Sequence, residues 1–153
     1  MSESTRVADQ EVVITRIFDA PREQVFAAWT EPGAVADWFG PAHMSTQGVQ
    51  IDLRVGGRYE LTMIRPDGGA FPVGYDIVEL APPALLVLRS DPMPEHGMAE
   101  PTVVRVELHD HGEKTRMTLT DGPMPGAEHA AAGWNHAFDK LAAQLTARRL
   151  RSG

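Results

Sequence analysis

Six histidines, two tyrosines and no cysteine set the side-chain chemistry open to this 153-residue chain. The lack of thiols excludes thiol catalysis, disulfide exchange and cysteine-based zinc or iron–sulfur sites. Imidazoles could move protons near neutral pH or ligate a metal. A metal site on a helix asks for paired ligands such as His-x-x-x-His on one face. His129 and His136 are seven residues apart, and His136 follows Trp134 by two, which turns it to the other side of the helix. His109 and His111 fall at a hairpin tip. His43 follows the turn Trp38-Phe39-Gly40-Pro41 and His96 lies in the Pro-rich loop of residues 91–101, so these two are the candidates for a cavity mouth, where loops gather. Neither a Gly-x-Ser-x-Gly elbow, a P-loop nor Gly-x-Gly-x-x-Gly occurs. The reading therefore assigns no catalytic residue, no metal and no cofactor.

Any site must be positioned by the elements around it. Trp134, Phe138, Leu141 and Leu145 recur at spacings of four, three and four, the stripe of a long C-terminal helix that needs a concave partner. Residues 46–121 supply one, as alternating strands broken by Gly and Pro turns. Their apolar positions are Val49, Ile51, Leu53, Tyr59, Leu61, Met63, Tyr75, Ile77, Val104, Val106, Leu108, Met117 and Leu119. This inward set holds no carboxylate, His or Lys, and its polar atoms are two tyrosine hydroxyls. General acid–base work needs a positioned titratable group, so the set reads as a binding surface, and a filled core is the competing reading. Upstream, residues 12–18 form a strand. Pro21 opens a helix with Val25, Phe26 and Trp29 on its apolar face, and Pro32-Gly33 separates a second short helix carrying Val35, Trp38 and Phe39. The expected cavity is lined by Trp38, Phe39, Tyr59, Leu61, Met63, Tyr75, Ile77, Val106, Met117, Trp134, Phe138 and Leu141.

The layout is α+β: a curved antiparallel sheet of six to seven strands around a long C-terminal helix, with two short helices after the first strand. Residues 1–10 read as a disordered polar tail and 11–150 as a single domain, long enough to bury roughly 70% of the surface of its unfolded form. A net charge of -7 and a pI near 5.3 disfavour phosphate backbones and anionic lipid as partners. Charged residues interrupt every apolar run short of the ~18 residues of a membrane span. With no cysteine, these features point to the cytoplasm.

Several pieces in order carry a family resemblance: the Ala-Pro-Arg-Glu-Gln-Val-Phe-Ala-Ala-Trp helix, Trp38-Phe39-Gly40-Pro41, Asp52 to Tyr59, Pro66-Asp67-Gly68, Pro82-Pro83, Thr115 to Thr120, and Gly133-Trp134 through Leu141. Over about residues 11–147 the chain resembles the heat shock protein 90 ATPase activator homologue family, within the START and birch-pollen-allergen-like (SRPBCC) superfamily of helix-grip folds. The resemblance implies a seven-stranded sheet gripping the last helix, with a hydrophobic ligand cavity between them. It differs at Ser90, where relatives often carry an aromatic residue, which would widen the cavity. One fold hosts many functions. The first expectation is a binder of a small apolar, aromatic or lipid-like ligand. The second is a polyketide cyclase or hydrolase acting in the same cavity, which an inward Asp, Glu or Arg would favour. The third is a chaperone-interacting domain, set last because a stand-alone domain would lack the extra domain of the eukaryotic co-chaperone. A homodimer stays open.

Overall fold

Alternation along the strands and the 3.6-residue period of three helices generate a single layer of sheet covered on one side. The computed structural model describes residues 3–96 and 99–152. In chain order the elements are β1 (Ser4–Ala8), β2 (Glu11–Phe18), α1 (Arg22–Thr30), α2 (Pro32–Trp38), β3 (Ser45–Ile51), β4 (Arg58–Ile64), β5 (Ala70–Ala81), β6 (Leu85–Ser90), β7 (Val103–His111), β8 (Lys114–Gly122) and α3 (Ala127–Ser152). The strands form one antiparallel sheet ordered β1-β2-β8-β7-β6-β5-β4-β3. α3, roughly 39 Å long at 1.5 Å per residue, packs against β2 and α2. This is the helix-grip layout, with eight strands in place of the expected six to seven.

The additional strand lies where a frayed tail was expected. Ser4–Ala8 turns back at Asp9-Gln10, both in left-handed backbone (φ 51° and 66°), and pairs with β2 from Ser4 opposite Thr15 to Ala8 opposite Glu11. All five residues are exposed, so backbone pairing rather than side-chain burial holds this edge. Apolarity alone could not reveal it. A second departure is at Leu53, expected on the inward face, and its neighbour Val55. β3 ends at Ile51, and both residues sit in the turn beyond it, 43% and 60% exposed. Of the two glycines in that turn, Gly57 is fixed by space: a Cβ there would overlap the Asp52 carbonyl oxygen. Gly57→Ala should cost about 1–3 kcal/mol by overpacking, read as a lower urea midpoint at unchanged slope, and an unchanged midpoint would show that the turn can shift freely.

The core joins the inner faces of the strands to all three helices. Phe18, Trp29, Trp38, Tyr59 and Phe138 are each no more than 1% exposed. α1 ends inside this core, where its last carbonyls cannot reach water and need donors. The sequence supplies them from a distance. Trp38 Nε1 donates to Ala28 O at 2.8 Å and Tyr59 OH to Trp29 O at 2.6 Å, while within α1 itself Thr30 Oγ1 donates back to Phe26 O at 2.9 Å. The aromatic residues that fill the core thus also satisfy a buried helix end.

The opposite face of the sheet carries the charges. Arg58 pairs with Asp91 through both terminal nitrogens (2.9 and 2.5 Å), with Asp76 at 3.0 Å and with Glu60 at 3.0 Å. Hydrogen bonds from Arg58 hold the Asp76 and Asp91 carboxyls below their ordinary range, with Arg89 adding to the effect on Asp76. Gly74 leaves room for this cluster, since a Cβ would run into the Arg58 and Asp91 side chains. Such half-exposed pairs contribute little each, and they cover the sheet face away from the helices.

Candidate functional site

Where α3 begins, the helix presents short side chains. Ala130, Ala132, Gly133 and Ala137 occupy its first three turns, and opposite them stand Phe39, Gly40, Pro41 and His43 of the loop after α2, Met63 of β4, Tyr75 of β5 and Asp121 of β8. The space left between them is a cavity of about 270 Å³. Trp134 forms one wall. Its ring meets Phe39 edge-on at 5.5 Å and stacks on Phe138 at 5.5 Å. Gly40, at φ +94°, keeps the loop close: a Cβ there would lie 3.0 Å from Met63 Sδ. His43, His129 and His136 are exposed and stand along the cavity margin.

The lining is apolar apart from those imidazoles, the Tyr75 hydroxyl and one carboxylate. Asp121 is 6% exposed. Trp134 Nε1 donates to its Oδ2 at 2.8 Å, and among the described residues Oδ1 has no hydrogen-bond partner. Burial pushes the carboxyl up from an ordinary 3.8 to about 6, opposed by the Trp134 hydrogen bond and by the nearby Thr102 hydroxyl. That hydroxyl itself lies 3.0 Å from Ser90 Oγ. Tyr75, whose ring meets Tyr59 at 6.0 Å, is pushed well above the usual phenol range, by burial first and by the Asp121 charge second.

Of the residues expected to line the cavity, the structure brings Phe39, Met63, Tyr75 and Trp134 together, with His43 beside them. Trp38, Tyr59, Leu61, Ile77, Val106, Met117, Phe138 and Leu141 are buried in the packed core and do not line it. The indoles of Trp29 and Trp38, 4.7 Å apart, help to fill the middle of the grip. Tyr59, one of the two tyrosines of the expected lining, donates its hydroxyl to Trp29 O at the end of α1. Ser90 turns inward but does not widen the cavity, since Thr102 N donates to its Oγ at 2.8 Å and it lies off the lining. The side chain of His96 lies outside the described residues. Among the described residues no cluster of three or more His, Asp or Glu side chains is placed to hold a metal ion, and no helix is long and apolar enough to cross a membrane.

Two features escaped the inward set. Asp121 continues the parity of Thr115, Met117 and Leu119 on β8, all buried, so the two-residue period extended by one step finds it. The Ala/Gly run 130–133 was legible as composition, but a search for large apolar residues passes over the small ones that leave the space.

Comparison with known structures finds the same fold repeatedly. A protein from Chromobacterium violaceum superposes with a TM-score of 0.83 at 22% identity, covering 90% of this chain and 98% of that one. An AHSA1 protein from Silicibacter pomeroyi gives 0.76 at 20% identity over 90% and 99% of the two chains, and CalU16 from Micromonospora echinospora gives 0.67 at 22% over 98% and 87%. At these identities the likeness establishes the fold. No curated protein matches the sequence. The model of the activator of Hsp90 ATPase homolog 1-like proteins matches residues 19–146, which spans α1, α2, the six strands β3 to β8, most of α3 and every residue of the cavity, and the chain belongs to that family.

Proposed function

We propose that this protein binds a small, largely apolar molecule in the cavity between the start of α3, the loop after α2 and residues Met63 of β4, Tyr75 of β5 and Asp121 of β8. Family membership is compatible with either a ligand-binding or a chaperone-activator-like domain. The observation that carries the first reading is the cavity itself: about 270 Å³ walled by Phe39, Met63, Tyr75, Trp134 and four small residues of α3. That volume lies just under the ~300–1,000 Å³ of common ligand sites and suits a molecule of one or two rings. Burial of ligand surface would drive binding at roughly 25 cal/mol per Å² before association costs.

The test is titration with naphthalene and simple naphthalene derivatives, followed by calorimetry, in the parent and in Gly133→Leu. Leucine at 133 projects toward the cavity, where a Cβ meets only Pro41 Cγ at 3.9 Å, and it suits a helix better than glycine by up to about 1 kcal/mol. The variant should fold and bind at least about 10-fold more weakly. Absence of saturable binding by every probe, or binding indifferent to Gly133→Leu, would remove the cavity reading.

One observation favours a second reading, an enzyme acting on the bound molecule. Asp121 is an inward carboxylate with its pKa raised to about 6, and a general acid or base works best when poised near the operating pH. Turnover separates the two: a binder returns its ligand unchanged after long incubation, whereas an enzyme yields product at a rate that falls in Asp121→Asn.

A further inference from the structure

Building on the cavity reading, we infer that the molecule bound there carries an N–H or O–H donor at its buried end and that Asp121 receives it. Three observations converge. Asp121 is 94% removed from solvent and lines the cavity, yet Trp134 donates to Oδ2 alone, at 2.8 Å, and the nearby Thr102 hydroxyl lies 3.0 Å from Ser90 Oγ. Among the described residues Oδ1 has no hydrogen-bond partner, and it is closed to water, so a turn of the carboxylate is needed to present it to the cavity. A buried acceptor left unmatched is costly, and costlier when charged, so a ligand whose donor draws the carboxylate toward the cavity recovers that cost. The remaining wall offers no competing counter-charge: among the described residues no Lys or Arg lines the cavity, and the imidazoles of His43, His129 and His136 are exposed at its margin. Finally, the rings of Trp134, Phe39 and Tyr75 surround the space, and aromatic faces beside a carboxylate favour a protonated amine above a neutral alcohol through cation–π attraction. A carboxylate-bearing molecule is the disfavoured class, because its charge would meet that of Asp121.

The specificity of Asp121 is tested on matched probes of one size: naphthylmethylamine, naphthol, methoxynaphthalene and naphthoate. Affinities are measured by calorimetry near neutral pH for the parent, Gly133→Leu and Asp121→Asn. In the parent, the amine and naphthol should bind about 10-fold or more tightly than the methyl ether, in keeping with a hydrogen bond to a charged acceptor, with naphthoate weakest. Asp121→Asn keeps an oxygen for Trp134 and presents an amide N–H₂. It should abolish the preference for donors while methoxynaphthalene binds as well as before or better. If the probes bind in a manner sensitive to Gly133→Leu but the ether matches the donors, or the preference survives in Asp121→Asn, the donor inference fails and the cavity reading stands. If no probe shows Gly133-sensitive binding, the cavity reading itself fails.

Discussion

Trp38→Ala is expected to cost about 3–5 kcal/mol, the usual range for removing a fully buried tryptophan, and to leave the fold marginal. Trp38 is completely inaccessible and its ring contacts Trp29, Phe39 and Phe138 at centroid separations of 4.7, 5.6 and 6.1 Å. Truncation opens a void among rings that have no room to collapse. It also orphans the Ala28 carbonyl at the buried end of α1, which Trp38 Nε1 satisfies at 2.8 Å, and an unmatched buried acceptor adds about 1–3 kcal/mol. A domain of this size has only ~5–15 kcal/mol in all. Trp38→Phe separates the two terms, since it keeps most of the ring volume and loses the donor, so its cost should fall clearly below that of alanine. Urea unfolding of the three proteins measures this. Equal midpoints for Trp38→Ala and the parent would mean that the grip is not built around this residue.

The same residue shows how far the sequence could be read. Periodicity identified Trp38, Phe138 and Leu141 as inward, and inward they are. What periodicity does not carry is the difference between lining a void and filling one. Trp38 fills because its indole N–H has a carbonyl to meet at the end of α1, and Tyr59 fills for the same reason. Those partners lie 10 and 30 residues away in the chain, beyond any local pattern. The antiparallel strands, the long helix and the two short helices α1 and α2 were legible because each buries a periodic apolar face. β1 was not, since an exposed edge strand held by backbone hydrogen bonds leaves no apolar trace. The cavity was half legible: Met63 and Tyr75 follow from strand alternation and Phe39 and Trp134 from helical periodicity, while its volume comes from Ala130, Ala132, Gly133 and Ala137, residues whose contribution is what they lack. Trp134 itself is only partly buried, in keeping with its place in the cavity wall.

Asp121 should make the protein less stable as pH rises from about 4 to about 6, opposite to the usual effect of a native carboxylate. In the folded chain burial lifts its pKa from 3.8 to about 6. Across that interval the native state holds a proton that the unfolded state has released, and stability falls with pH wherever the native state binds more protons. At 1.36 kcal/mol per pH unit the accumulated loss is roughly 3 kcal/mol, complete above about pH 7 and absent below about pH 4. Asp76, Asp91 and Glu107 have lowered pKa values and act in the other direction, losing stability as pH falls. The overall profile therefore mixes both signs, and the difference between parent and Asp121→Asn isolates the one of interest. Asparagine is neutral throughout and retains an acceptor for Trp134 Nε1. The two proteins should have nearly equal unfolding free energies near pH 4, and Asp121→Asn should become the more stable by about 2–3 kcal/mol near pH 7.5. A difference that does not change with pH would mean that Asp121 is solvated in the folded state. The expected slope, by contrast, ties function to instability: the carboxylate that weakens the empty fold at neutral pH is the group a donor-bearing ligand would satisfy, so a bound amine should recover part of the same free energy and raise the melting temperature more in the parent than in Asp121→Asn.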